Sequence, residues 1–238
     1  MRNGRVLAVF ACGLAMAAVT FAGSVTGTIT YDDRVPPPGR GPLKALDMGA
    51  DPACAQKHPN GAPATGQLVL GDGNGLGNVF VQIKNPPAGN HAAPSTAVEI
   101  DQNGCIYEPR VAGVMVGQPL KFKNSDGILH NVHGLPKVNR EFNIGMPASL
   151  KEKDVTFNKP EPIFTVKCDV HPWMFSYVAV MTHPFFAVSD GNGKFSFDVP
   201  DGTYEVEAWH ERLGTKTGSV TVAGGAATVD FSFTIPQR

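Results

Sequence analysis

Residues 168–180 read CDVHPWMFSYVAV. The second half, Phe175 to Val180, is a short apolar run of the kind that forms a buried β-strand. The first half sets a thiol, an imidazole and a thioether three residues apart, at Cys168, His171 and Met174. All three are soft or borderline metal donors. A strand flanked by such a loop is the point from which the rest of the chain is read.

The same strand signal recurs outward in both directions. SVTGTITY (24–31) puts Val25, Ile29 and Tyr31 on one face, and NVFVQIK (78–84) does so with Val79, Val81 and Ile83. KFSFDV, TYEVEAW, SVTV and TVDFSF continue the alternation toward the C-terminus. Period-2 runs broken by Gly, Pro, Asn and Asp specify an all-β protein. Composition agrees: 27 Gly, 20 Pro and only 17% charged residues suit short strands and tight turns, not long helices. The glycine-rich GDGNGLG (71–77) lacks the G-x-G-x-x-G spacing and any following helix pattern, so it reads as a hairpin turn. DGNG (190–193) carries Phe195 where a calcium loop needs glycine, so it is also a turn. The Pro/Gly-rich stretch 36–66 reads as a long loop that Cys54 could pin.

A net charge of -1 leaves no electrostatic footprint for nucleic acid. Arg2 and Arg5 followed by VLAVFACGLAMAAVTF (6–21) form an export signal, with cleavage expected after Ala22. A lipid anchor through Cys12 is disfavoured by the bulky Phe10, and the apolar run is short for an uncleaved spanning helix. The mature chain, with 18 basic and 21 acidic side chains, has no further span candidate and is expected in the periplasm or outside the cell. It keeps three cysteines, Cys54, Cys105 and Cys168. An odd count in an oxidising compartment leaves one thiol to account for. Cys168 as a metal thiolate accounts for it, and Cys54–Cys105 is then the disulfide.

Thiolate plus thioether plus imidazole selects copper, and a site with two imidazoles, one thiolate and a weak thioether suits a copper that changes oxidation state. The second imidazole must come from elsewhere. NSDGILHNVHG (124–134), a stretch of polar turn residues after the strand PLKFKN, offers His130 or His133.

With these motifs in hand, Val98 to Thr182 resembles the cupredoxins, the small blue-copper electron carriers, and within them amicyanin. LHNVHG and CDVHPWMFSYVAV carry the likeness. It implies His130, Cys168, His171 and Met174 as ligands of one type-1 copper. Asn131 would stand behind them, holding the ligand loop and tuning the thiolate. His133 matches a family position that is not a ligand and stays the alternative to His130. The flanking FAVSDGNGKFSFDVPDGTYEVEAWHERLG (186–214) resembles the carboxypeptidase regulatory-like, transthyretin-like sandwich. Its first two strands would be GSVTGTITY and NVFVQIKN. The arrangement implied is a sandwich of residues 23–92 and 184–238 with a cupredoxin domain, 93–183, inserted; two tandem domains are the alternative.

The resemblance implies an electron carrier, not an enzyme. A copper chaperone or store would show exposed Met- or His-rich tracts, and an adhesion or carbohydrate-binding sandwich would bind no copper. Multicopper oxidases and copper nitrite reductases wire the ligand Cys to further coppers through flanking His; here Lys167 and Asp169 flank Cys168, and seven His are too few. WHE (209–211) with His183 is a weak second metal candidate, its alternative being strand-end histidines with satisfied hydrogen bonds. The His171 edge, framed by Pro172 and Trp173, is expected to reach an apolar surface where a soluble redox protein, such as a c-type cytochrome, docks.

Overall fold

A computed structural model describes residues 23–32 and 45–234. The export signal, with Cys12 and Ala22, lies outside the described residues. Among those described, no helix is long and apolar enough to cross a membrane. The chain is all-β. Its first strands are β1 (Gly23–Tyr31), β2 (Phe80–Ile83), β3 (Val98–Asn103), β4 (Ile106–Glu108), β5 (Val111–Met115) and β6 (Pro119–Asn124). Then come β7 (His130–Gly134), β8 (Phe142–Met146), β9 (Glu152–Thr156), β10 (Glu161–Lys167), β11 (Phe175–Met181) and β12 (Phe186–Val188). The last are β13 (Lys194–Val199), β14 (Gly202–His210), β15 (Gly214–Val222), β16 (Ala226–Thr228) and β17 (Phe231–Phe233).

These strands form four sheets that stack in two pairs. β1 pairs with β13, β16 and β17, and faces the sheet β12-β2-β14-β15 across a core of Val25, Ile29, Val81, Phe197, Val206 and Phe233, among others. The sheets β5-β11-β10-β7-β8 and β4-β3-β6-β9 close on a second core that includes Ile100, Phe122, Val132, Val166 and Val178. The first core thus joins the N-terminal strand to the C-terminal third of the chain. The 71–77 and 190–193 stretches are turns: Leu70 bridges Leu76, and Asp190 Oδ1 accepts from the amides of Asn192 and Lys194.

Alternation explains how the two sandwiches meet. In β2 and the residue before it, Val79, Val81 and Ile83 face the first core, so Phe80 must face the other way. In β11, Val178 and Val180 face the second core, so Ala179 must turn outward. Phe80, Val111, Ala179 and Met181 meet there in a third cluster, with Trp209 against Tyr177. Gly113 is needed at this seam: a Cβ would stand 2.5 Å from the Phe186 ring and 2.7 Å from that of Phe80. Arg110 pairs with Glu211 across it, and Tyr177 Oη donates to the same carboxylate at 3.0 Å. A half-buried, bidentate ion pair of this kind favours one relative orientation.

Three features depart from the sequence reading. The polar turn residues of 124–134 end at Leu129, because His130–Gly134 is a strand paired with both β8 and β10. A short helix, α1 (Pro52–Gln56), lies in the loop, with Asp51 as its N-cap and Pro at its first position. The segment from Leu46 to Ala62, assigned to the first sandwich by the boundary at 92, packs instead on the second core through Met48 and Cys54. The cause is the Cys54–Cys105 disulfide, which ties the segment to the β3–β4 turn.

Glu161 anchors the loop after β7. It is 3% exposed, and its carboxylate accepts from the amides of Lys137, Val138 and Asn139 at 2.7–3.0 Å. Burial pushes this carboxyl up, but the Asn139, Lys137 and Val138 amides outweigh it and hold it below its usual value of 4.5. The folded pKa is depressed, so the contribution is complete above 4.5 and is lost as pH falls below it. Glu161→Gln is expected to cost about 1.5–3 kcal/mol at neutral pH, less in acid. Urea unfolding at two pH values checks this; an equal cost at both would contradict it.

Candidate metal centre

β7 and the turn between β10 and β11 meet at one end of the second sandwich. Val166 and Lys167 of β10 pair with Gly134 and His133 of β7, which carries His130 into the same end. The turn is closed by two backbone hydrogen bonds, Cys168 N to Met174 O at 3.2 Å and Met174 N to His171 O at 3.0 Å. They fold the three-residue spacing into a compact loop. Cys168, His171 and Met174 are all buried, at 2%, 1% and 1% exposure, and His130 at 0%, so none of the four donors is a solvated surface group.

The two imidazoles face each other through Nδ1, 2.9 Å apart, and Cys168 Sγ lies 3.6 Å from His171 Nδ1. His130, Cys168 and His171 form a group whose ligand atoms all fall within 4.8 Å. Met174 packs in the same core as Cys168. His133 is not part of this group. It points to the surface side, with Nδ1 on Asp169 Oδ2 at 2.9 Å and Nε2 on Glu141 at 2.8 Å. Alternation along β7 explains the choice, because residues 130 and 133 fall on opposite faces.

The outer nitrogens decide the tautomers. His130 Nε2–H donates to Asp126 Oδ2 and His171 Nε2–H donates to Asp51 Oδ2, each at 2.9 Å. A carboxylate only accepts, so each neutral ring keeps its proton on Nε2 and presents a lone pair at Nδ1. Two lone pairs and a thiol sulfur then converge in a buried space. That arrangement requires a cation between them, either a proton or a metal ion, and outer carboxylates on both rings are the usual support of metal-bound histidines.

Charges around the sulfur agree. Burial alone raises the Cys168 thiol, but the neighbouring His130 imidazole and the amides of Asn131 and His171 outweigh it and bring it to about 7. Burial lowers the His130 imidazole, and Asp126 and Cys168 outweigh it, leaving a net rise. Burial likewise raises Asp126, yet His130, the Cys105 amide, Lys57 and the Gly104 amide hold it at about 2. Asp51 is lowered, chiefly by His171.

Asn131 sits behind Cys168. Its Oδ1 accepts from the Asp169 amide at 2.7 Å and from the Cys168 thiol at 3.3 Å, and its backbone carbonyl accepts from Tyr107 Oη. Asp169 in turn takes Asn131, Asn143, His133 and Lys167, and its carboxyl is held far below the usual range, first by Lys167.

The expected His171 outlet is not what the structure shows. The ring is 1% exposed, and Asp51 of the disulfide-tied segment covers its outer edge. Pro172 is exposed, but Trp173 is half-buried. The indole lies 5.2 Å from the His171 ring and donates from Nε1 to Cys105 O at 3.0 Å. Sequence reasoning missed Asp51, Asp126 and Lys57. The first had a signal in the N-cap pattern Asp51-Pro52, and the second in its position four residues before His130.

His183 and His210 each accept one backbone amide, from Phe185 and Arg212, both at 3.2 Å. Burial lowers both imidazoles to about 4. Among the described residues, which hold all seven histidines, every group of three metal-binding side chains includes His130 or His171. The WHE stretch therefore does not form a second metal site with His183.

No family model matches the chain, and no curated protein matches it. Solved structures do. A point mutant of amicyanin in its Cu(I) form matches with 23% identity over 42% of this chain and 98% of its own, at a TM-score of 0.32. A purple cupredoxin from Nitrosopumilus maritimus matches with 19% identity over 35% of this chain and 98% of its own, at 0.30. The copper-containing nitrite reductase of Thermus scotoductus matches with 21% identity over 41% of this chain, at 0.34. This chain spans only 25% of that reductase.

Proposed function

We propose that this is an exported copper protein that carries single electrons between redox partners. The observation that carries the reading is the convergence of two carboxylate-fixed imidazole lone pairs on a buried thiol. Cys168, His130 and His171 would hold the ion, with Met174 as a weaker fourth donor. Two imidazoles and a thiolate suit copper or zinc, and the added thioether favours copper. Copper bound there supplies one-electron exchange between two oxidation states. The protein's part is rigidity: strands β7, β10 and β11 and the closed 168–174 turn hold the donors in place, which limits rearrangement when the charge changes. Complete burial of the donors disfavours a chaperone, which must release its ion readily.

In this reading residues 93–183 form the metal-binding sandwich, interrupting a transthyretin-like sandwich of 23–92 and 184–238 that serves as its platform. The loop 45–66 is lent to the metal side. Export through the N-terminal signal places the protein in the periplasm or outside the cell. The test is titration of the mature protein with Cu(II), followed in the visible range. An intense thiolate-to-copper band saturating at one equivalent is expected, and stoichiometric binding without colour would refute the blue-copper assignment.

With the His171 edge covered, docking has to use the surface around it. Val170 is 47% exposed and Leu129 54%, each next to a ligand histidine in the chain, and Pro172 is exposed beside them. A transient redox contact buries less than about 1,200 Å², which so small an apolar surface can supply. A small c-type cytochrome is the partner proposed. Trp173 is unsuitable for testing docking, since a charge there would enter the core. Val170→Glu is expected to leave the visible band unchanged and slow electron exchange with a small soluble cytochrome by about tenfold or more. Stopped-flow mixing measures it, and an unchanged rate would remove this surface from the proposal.

A further inference from the structure

The outer edges of both histidines are held by one structural device. Asp51 spends one oxygen on His171 Nε2 and the other on α1, accepting from the amides of Ala53 at 2.8 Å and Cys54 at 3.4 Å. Asp126 does the same for the other ring. It takes His130 Nε2 and the Cys105 amide on Oδ2, and the Gly104 amide and Lys57 Nζ on Oδ1. The two carboxylates therefore grip the two ends of one disulfide, Cys54 N–H on one side and Cys105 N–H on the other. The sulfurs are close as well. Cys54 Sγ lies within 4.8 Å of ligand atoms of Asp51 and His171, and Cys105 Sγ within 4.8 Å of those of Asp126 and His130. Lys57 and His58, on the same segment, add contacts to Asp126 O at 2.9 Å and to Gly104 O at 2.7 Å.

We propose that the segment 45–66 is a clamp on the metal-binding histidines, with Asp51 and Asp126 as the positioning residues through which it acts. This rests on the copper reading but goes beyond it. Neither carboxylate touches the ion; each fixes a tautomer, aims a lone pair and makes its imidazole a stronger donor. Asp51 has a further effect, because it closes the one edge of His171 that would otherwise meet solvent. A stronger imidazole donor favours the more highly charged copper, so the clamp lowers the reduction potential and slows loss of the ion.

Asp51→Ser separates the two duties of this side chain. Serine still caps α1, but it is too short to reach His171. Copper affinity is expected to fall about ten- to hundredfold, and the reduction potential to rise. In the metal-free protein, His171, protected in the wild type, should become reactive to diethyl pyrocarbonate, read by peptide mass. Asp47→Ala, on the exposed part of the same segment, should change none of the three. If Asp51→Ser does not fold, Asp51→Asn keeps the volume and the α1 cap, replaces the carboxylate by a neutral, weaker acceptor, and is read by affinity and potential alone. Wild-type affinity and potential together with a protected His171 would overturn the clamp. A wild type that binds no copper would instead refute the copper reading, while the acylation result would still decide whether Asp51 seals the ring.

Discussion

Cys168→Ser is expected to abolish the visible band of the proposed copper site and to leave a protein that folds. Serine is close to isosteric with cysteine, and the site is 2% exposed, so the change costs little volume. The donor changes completely. A thiol brought to about 7 gives up its proton readily to a metal, whereas a serine hydroxyl stays protonated at neutral pH and offers a harder, weaker ligand. Colour arises from charge transfer out of sulfur, so it goes with the sulfur even if the imidazoles still hold Cu(II). Met174→Leu is the companion variant. It would remove the weakest of the proposed donors, and is expected to keep the band and shift the potential. Absorption and paramagnetic resonance spectra of the three copper-loaded proteins decide the matter. A band that survives Cys168→Ser would place the copper elsewhere.

The residues that made the site legible are those whose roles depend on local spacing. Cys168, His171 and Met174 lie in one turn, and two backbone hydrogen bonds convert their three-residue interval into a loop. Period-2 alternation likewise showed the buried faces of β1, β2 and β13. It did not show against what the opposite face packs. Phe80 reads as an ordinary strand residue until β5 and β11 of the other sandwich cover it. β9, EKDVT, is exposed along most of its length and has no apolar pattern to find. The His171 edge was misjudged for the same reason: its partner Asp51 lies 120 residues away in a loop, and nothing local to the CDVHPWM turn records that a carboxylate will cover it.

Removing the disulfide in Cys54→Ala/Cys105→Ala is expected to destabilise the protein by about 4 kcal/mol, the largest stability loss of any change considered. The bridge closes a loop of 51 residues, and most of its effect lies in the unfolded chain, which gains freedom when the bridge is cut. The native state has other ties at this place. Met48 is buried in the second core, Lys57 holds Asp126, and His58 holds the Gly104 carbonyl. Cys105 has a left-handed backbone, φ 54°, and alanine bears the same strain there, so that contribution cancels between the two proteins. The metal centre is therefore expected to form in the variant, with its band in place, while the unfolding midpoint in urea moves sharply down. Both quantities come from the same copper-loaded sample. Thiol labelling of the wild type, denatured without reductant and free of metal, should modify Cys168 alone, in keeping with its being the free thiol. A loss well below about 4 kcal/mol with an unchanged urea slope would mean that strain in the folded bridge offsets the entropy. Loss of the visible band along with the stability would show instead that the disulfide itself, and not only Asp51 and Asp126, holds the two histidines in register.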